Sequence, residues 1–111
     1  MSLTSDLIRG HTETLILAQL MTHDSYGYQI NKTIQEKTNQ EYELKEATLY
    51  SAFRRLEENG FICSYWGNEG SGARRRYYTI TTEGRENYHM RKAEWEKSKE
   101  LIDLLIQVDE Q

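Results

Sequence analysis

Apolar residues recur at three- and four-residue steps from Ser5 to about Thr22, at Leu7, Ile8, Leu15, Ile16, Leu17, Leu20 and Met21. That period predicts an amphipathic helix with Ser5 as its N-cap. Ser25-Tyr26-Gly27-Tyr28 interrupts the pattern, and a second, shorter helix follows around Ile30 and Ile34. Tyr42-Glu43-Leu44 alternates like a very short strand, and Lys45 to Asn59 then reads as a third helix with Leu49, Phe53 and Leu56 as its apolar stripe. Gly60 is placed to end it in a left-handed cap. Two runs rich in aromatic and β-branched residues, Phe61 to Trp66 and Arg74 to Ile80, flank the Gly-rich stretch from Gly67 to Gly72, which predicts an antiparallel hairpin. Thr81 or Thr82 can cap a last helix that runs to about Gln107.

Helix, helix, short strand, helix, hairpin and long helix, in that order, make a mainly α chain with a small β-hairpin (α+β). This is the arrangement of a winged helix-turn-helix followed by a C-terminal extension. The winged unit is expected over residues 4 to 80 and a dimerisation helix over 81 to 111. At about 1.5 Å per residue that helix is nearly 40 Å long, whereas a domain of this size has a radius of gyration of only about 13 Å. It therefore projects from the body and needs a partner.

Composition bounds the rest. The 111 residues hold 14 Lys+Arg against 18 Asp+Glu, for a formal charge of -4. One core, and not a two-domain enzyme with a cleft, is the expectation at this length. A lone Cys63 forms no internal disulfide, and the chain shows neither a signal peptide nor an apolar run long enough for a bilayer, so a cytoplasmic location is expected. Taken whole, an acidic chain is a poor ligand for phosphate. Segment by segment the reading changes: residues 1 to 44 carry -3, residues 45 to 92 carry +3, and residues 93 to 111 carry -4. A basic middle containing Arg74-Arg75-Arg76 sits between two acidic flanks.

With Leu49, Phe53 and Leu56 inward, Thr48, Ser51 and Arg55 fall on the opposite side of the third helix, with Tyr50 and Arg54 toward its flanks. Small hydroxyls followed by arginines suit a recognition helix in a major groove; an ordinary solvated face is the alternative. Arg74, Arg75 and Arg76 on a protruding ribbon can reach a minor groove or flanking phosphates, although alternation puts Arg75 on the face opposite Arg74 and Arg76. With Tyr28 and Lys45 these make up the candidate contacts to a double-stranded DNA operator. The last helix carries Tyr88, Trp95, Ile102, Leu105 and Ile106 on a broken heptad interrupted by Arg91 and Ser98, a seam suited to an incompletely filled homodimer interface. Two copies of Trp95 near a dimer axis could sandwich a flat aromatic molecule. No catalytic, metal or cofactor signal stands out. Gly67, Gly70 and Gly72 precede a strand and lack a Lys-Ser/Thr pair; His11, His23, His89 and Cys63 have no ligand spacing; Glu57 and Glu58 do not face each other across a cleft.

Taken together, Glu46-Ala47-Thr48-Leu49-Tyr50 leading to Arg55-Leu56-Glu57 and Gly60, Ser64-Tyr65-Trp66-Gly67, Arg74-Arg75-Arg76-Tyr77-Tyr78 followed by Thr81 and Gly84, Tyr26-Gly27-Tyr28 and Trp95 resemble the PadR family of bacterial transcriptional regulators. The chain is most similar to a short subgroup with one C-terminal helix that includes multidrug-sensing repressors. The resemblance implies a two-fold dimer in which the last helix packs against the partner's first helix, here through Leu7 and Ile8, with the third helices in successive major grooves and the wings on flanking DNA. It also implies a planar aromatic effector stacked on Trp95 between subunits, lined by Thr14 and Ala18 from the first helix and by Tyr88 and Lys99 from the last. Lys99 stands where an acid would favour cations, which turns the expected preference toward neutral or anionic aromatics. A repressor relieved by such a ligand is the reading; a winged-helix protein-interaction module without sequence-specific DNA binding, and an adaptor helix, are the alternatives.

Overall fold

The computed structural model describes residues 2–67 and 74–109. Five helices and three strands follow one another as α1 (Leu3–Arg9), α2 (Thr12–Leu20), β1 (Ser25–Tyr26), α3 (Gly27–Lys37), α4 (Glu46–Glu58), β2 (Ile62–Trp66), β3 (Arg76–Ile80) and α5 (Thr82–Ile106). Helices dominate, a small antiparallel sheet closes one side, and the long C-terminal helix is present as expected.

The single helix expected from Ser5 to Thr22 is two helices. Gly10, the poorest helix former in the run, caps α1, and the Thr12 hydroxyl donates to the Arg9 carbonyl at 2.7 Å to restart the chain as α2. Ser2, and not Ser5, is the N-cap of α1: its hydroxyl accepts from the Ser5 N–H at 3.0 Å. α1 buries nothing, whereas α2 is the centre of the molecule, with Ile16, Leu17 and Leu20 almost without solvent contact.

Tyr42 to Leu44 is not a strand. The buried Leu44 has its N–H and C=O both taken by the Asn31 side-chain amide, each at 2.8 Å, so one side chain on α3 does what a neighbouring strand would. The extra strand is Ser25–Tyr26, at the break in the apolar pattern. It pairs antiparallel with β3, with Ser25 opposite Tyr78 and Tyr26 opposite Tyr77, giving the order β1-β3-β2. β2 and β3 pair from Ile62 with Ile80 to Trp66 with Arg76, as the hairpin reading requires; most of its Gly-rich tip, 68 to 72, lies outside the described residues.

One core joins these layers. Leu49, Ala52, Phe53 and Leu56 of α4 pack with Ile16, Leu17 and Leu20 of α2, Ile30 and Ile34 of α3, and Tyr78 and Ile80 of β3. Phe53 and Tyr78 lie face to face with ring centroids 3.9 Å apart, locking α4 to the sheet.

Gly60, with φ at +76°, ends α4 in the left-handed turn its position suggested. Its N–H donates to the Glu57 carbonyl at 3.0 Å and the Phe61 N–H to the Leu56 carbonyl at 3.0 Å, the Schellman pattern. The chain returns to this turn at the start of α5, where Thr81 Oγ1 donates to the Gly60 carbonyl at 2.7 Å while accepting from the Gly84 N–H at 3.0 Å.

α5 then runs 25 residues, about 37 Å at about 1.5 Å per residue, and everything past Arg91 on it is exposed. It stretches the molecule to 67 × 30 × 21 Å and raises the radius of gyration to 16.4 Å. No helix among the described residues is long and apolar enough to cross a membrane.

A methyl group at residue 84 would sit 2.0 Å from the Phe61 carbonyl oxygen and 2.7 Å from Ile80 Cγ1. Gly84→Ala must therefore move α5 off the α4–β2 corner. The expected loss is at least about 2 kcal/mol of unfolding free energy in urea titrations, at the upper end of overpacking effects; a change under about 0.5 kcal/mol would show that the corner is not rigid.

Candidate nucleic-acid interface and effector cavity

The buried stripe of α4 decides which side chains it shows. Leu49, Ala52, Phe53 and Leu56 face the core, leaving Ala47, Tyr50 and Arg54 as the most exposed row. The row Thr48, Ser51 and Arg55, which the sequence pattern places outward, instead turns toward α1 and α2. Thr48 and Ser51 are half-buried, and Thr48 lines a groove with Ser5 and Arg9 of α1 and Lys45. Arg55 is held by Glu13 of α2, Nε to Oε2 at 2.9 Å, and by Ser51 Oγ at 2.9 Å.

Beside the exposed row, a concavity of about 560 Å³ opens between α3, α4 and β3, lined by Tyr26, Gly27, Tyr28, Tyr50, Arg74, Arg75 and Arg76. Gly27 lets the Tyr50 ring lie close against α3: a Cβ there would meet the Tyr50 hydroxyl at 2.7 Å and displace that side chain. Each wing arginine lies over an aromatic ring: Arg74 over Trp66 at 5.2 Å, Arg75 over Tyr26 at 4.8 Å and Arg76 over Tyr78 at 5.9 Å. The alternation read from sequence holds in part. Arg75 belongs to the face where Tyr77 packs against Tyr26 and Tyr65, while Arg76 faces α4, with Nη2 2.9 Å from Ser64 Oγ and 3.4 Å from Glu57 Oε1. Tyr65 donates to Asp24 at 2.6 Å, a strut from the wing to the turn before β1, and that bond pushes the Tyr65 phenol up to about 12. Tyr26 and Trp66, absent from the candidate contacts, are the rings that orient two of the arginines; their alternation with the arginines across the strand pairs was the readable signal.

A second cavity, about 450 Å³ and mainly apolar, lies on the opposite side between α1, α2 and α5, lined by Leu7, Ile8, His11, Thr14, Leu15, Trp95, Lys99, Ile102 and Asp103. It brings together Thr14, Trp95 and Lys99 from the expected lining. Ala18 and Tyr88 are not part of it: Tyr88 packs against the core two turns before Trp95. Leu7, Ile8 and Ile102, expected at a dimer interface, line the same cavity, because the helix break at Gly10 folds α1 over α5. His11, at that break, meets Trp95 edge-on with centroids 4.9 Å apart. Lys99 Nζ stands 6.0 Å from the Trp95 ring centroid and pairs with Glu96 at 3.0 Å. Around and beyond the cavity, large apolar side chains face solvent on α1 and α5, from Leu3 and Leu7 to Leu104, Leu105 and Ile106, the last two 82% and 70% exposed. Among the described residues no cluster of His, Cys, Asp and Glu could hold a metal.

A three-helix core with a β-ribbon wing, an exposed helix row beside that wing and a long trailing helix define a winged helix-turn-helix protein of the transcription-regulator class. Residues 16–90 match the model of the transcriptional regulator PadR-like family, and the chain belongs to that family. It is similar to the structure of a transcriptional regulator from Clostridium thermocellum, with 50% identity over 96% of this chain and 99% of that one and a TM-score of 0.84. A PadR family transcription regulator from Clostridium difficile shares 38% identity over 87% of this chain and 99% of that one, with a TM-score of 0.74. Bacillus subtilis PadR, solved in complex with operator DNA, has the same fold at 23% identity, covering 89% of this chain and 49% of that one, with a TM-score of 0.62.

Proposed function

We propose that the chain is a homodimeric, DNA-binding transcriptional repressor whose hold on a pseudo-palindromic operator is relieved by a planar aromatic molecule bound between subunits. The observation that carries this reading is the concavity of three tyrosines and three arginines beside the exposed row Ala47, Tyr50 and Arg54 of α4. Guanidinium groups stacked on rings are held extended, which lowers the entropy lost when they grip phosphate. Bacillus subtilis PadR, a protein of the same fold, was solved in complex with operator DNA, which supports DNA as the partner. Tyr28, Lys45, Tyr50, Arg54, Arg74 and Arg75 are the contacts best placed for DNA. Arg55 and Arg76 act at one remove, through their ion pairs with Glu13 and Glu57.

In this reading residues 4 to 80 form the DNA-binding unit and 81 to 111 the assembly helix. The occupant of the apolar face on α1 and α5 is a second copy, since Leu3 and Leu7 with Leu104, Leu105 and Ile106 leave exposed apolar surface around the cavity that a two-fold axis can set against itself. The same axis closes the cavity at Trp95. Among the lining residues the formal charges cancel, Lys99 against Asp103 one turn further on. An uncharged planar aromatic fits best. Ligand wedged between the copies alters the spacing of the two α4 helices from the roughly 34 Å that successive major grooves demand.

Footprinting on the DNA upstream of its own gene, with and without the neutral tricyclic fluorophore acridone, tests the whole reading; salt-sensitive binding without a footprint would replace it with a protein-interaction role. Arg54→Ala and Arg74→Ala should each reduce the salt slope of operator binding by about one; an unchanged slope removes that residue from the phosphate contacts. Trp95→Ala should abolish acridone binding and spare operator affinity. Leu105→Glu should convert a sedimenting dimer to monomer and weaken operator binding at least about tenfold; a monomeric wild type sinks the dimer.

A further inference from the structure

The carboxylate of Glu13 serves two arginines from two different helices. Its Oε2 accepts from Arg55 Nε of α4 at 2.9 Å, and its Oε1 from Arg91 Nη2 of α5 at 3.0 Å. Both guanidinium groups are aimed by a second bond on their own helix, Arg55 to Ser51 and Arg91 to Asn87. Glu13 is the least exposed of the three, its side chain at 19%, against 30% for Arg91 and 49% for Arg55. It thus stands where α2, α4 and α5 meet, outside the cavity yet flanked by it: Thr14 is its neighbour in sequence, His11 lies half a turn before it, and Trp95 is one turn beyond Arg91 on α5.

We infer that Glu13 is the positioning residue through which the placement of α5 is transmitted to the DNA-reading helix. The inference rests on the effector and operator roles proposed above and specifies how they are joined. Two discrete arrangements are available to the carboxylate. With α5 against α2, it bridges Arg55 and Arg91 with one oxygen each. A shift of α5 by about 1 Å carries Arg91 beyond hydrogen-bonding reach, and both oxygens then fall to Arg55, whose planar fork accepts a bidentate partner. That change redraws the C-terminal half of α4 against α2, and the wing moves with it, tied to the same turn by Glu57 through Arg76 and by Phe53 through Tyr78. A ligand inserted beside Trp95 favours the second arrangement by pushing on α5, and DNA held by α4 favours the first. Coupling between the two sites is then reciprocal.

The test uses the full chain as a dimer, its operator fragment and acridone as probe. Operator affinity is measured with and without saturating acridone for the wild type, for Glu13→Gln, for Arg91→Gln and for Glu86→Gln, an exposed α5 carboxylate outside the junction, as control. In the wild type and in Glu86→Gln acridone should weaken operator binding by about tenfold, within the usual range of site-to-site coupling. In Glu13→Gln and Arg91→Gln that ratio should fall below about threefold, while acridone affinity and melting temperature stay at the wild-type values. A lost charge pair of purely structural value would lower the melting temperature and leave the ratio intact. A wild-type ratio in both variants overturns the junction and leaves the effector reading standing. A wild type whose operator binding ignores acridone overturns the effector reading and the junction with it.

Discussion

A close approach of two backbones governs the architecture. At the corner where α4 ends and β2 begins, the Gly60 carbonyl receives the Thr81 hydroxyl, and Gly84 lies so near the Phe61 carbonyl that no side chain fits between. Because both ends of the wing hairpin pass through this corner, the wing cannot move relative to α4 without moving the start of α5. The corner therefore sets the angle at which the recognition helix meets the wing and the direction in which α5 leaves the core. Everything that makes the chain more than a small helical domain, from the projecting helix to the cavity beneath it, depends on that fixed exit.

From this corner the molecule divides its polar groups between two tasks. On the wing side, the guanidinium groups of Arg74, Arg75 and Arg76 each lie over an aromatic ring, which gathers basic groups on one face of a chain whose net charge is -4. On the other side, arginines are neutralised by carboxylates and serve to connect helices. The same residue type does different work according to whether a ring or a carboxylate lies beneath it. Arg76 has both, the Tyr78 ring and the Glu57 carboxylate, and the ion pairs of Glu13 and Glu57 are worth little as surface bridges but fix directions where elements converge.

Much of this was readable in the chain. Periodicity located α3, α4 and α5, the hairpin and the cap at Gly60, because each rests on local preferences: apolar spacing, β-branched and aromatic runs, and a residue free to adopt positive φ. The family pattern rests on the same residues. Of the residues expected around Trp95, Thr14 and Lys99 line its cavity while Ala18 and Tyr88 do not, since spacing along each helix does not fix how the two helices cross. The failures have a common cause. Ser25–Tyr26 becomes a strand only because β3 is beside it, and Tyr42 to Leu44 fails to become one because the Asn31 amide already occupies Leu44. The row Thr48, Ser51 and Arg55 lies opposite the apolar stripe on a helical wheel, yet α1 and α2 half-bury Thr48 and Ser51 and Glu13 of α2 pairs with the exposed Arg55.

The sequence by itself determined where the helices and the wing form, which residues build the core and where basic charge collects, since these follow from each residue's neighbours along the chain. Only the tertiary structure decided which arginines face outward, that the break at Gly10 folds Leu7 and Ile8 over Trp95, and that one carboxylate on α2 reaches both α4 and α5. Those outcomes depend on distances of about 3 Å between residues as far apart in the chain as Glu13 and Arg91. No local preference fixes such a distance; it is set by how whole elements pack, and here by the corner at Gly60 and Gly84.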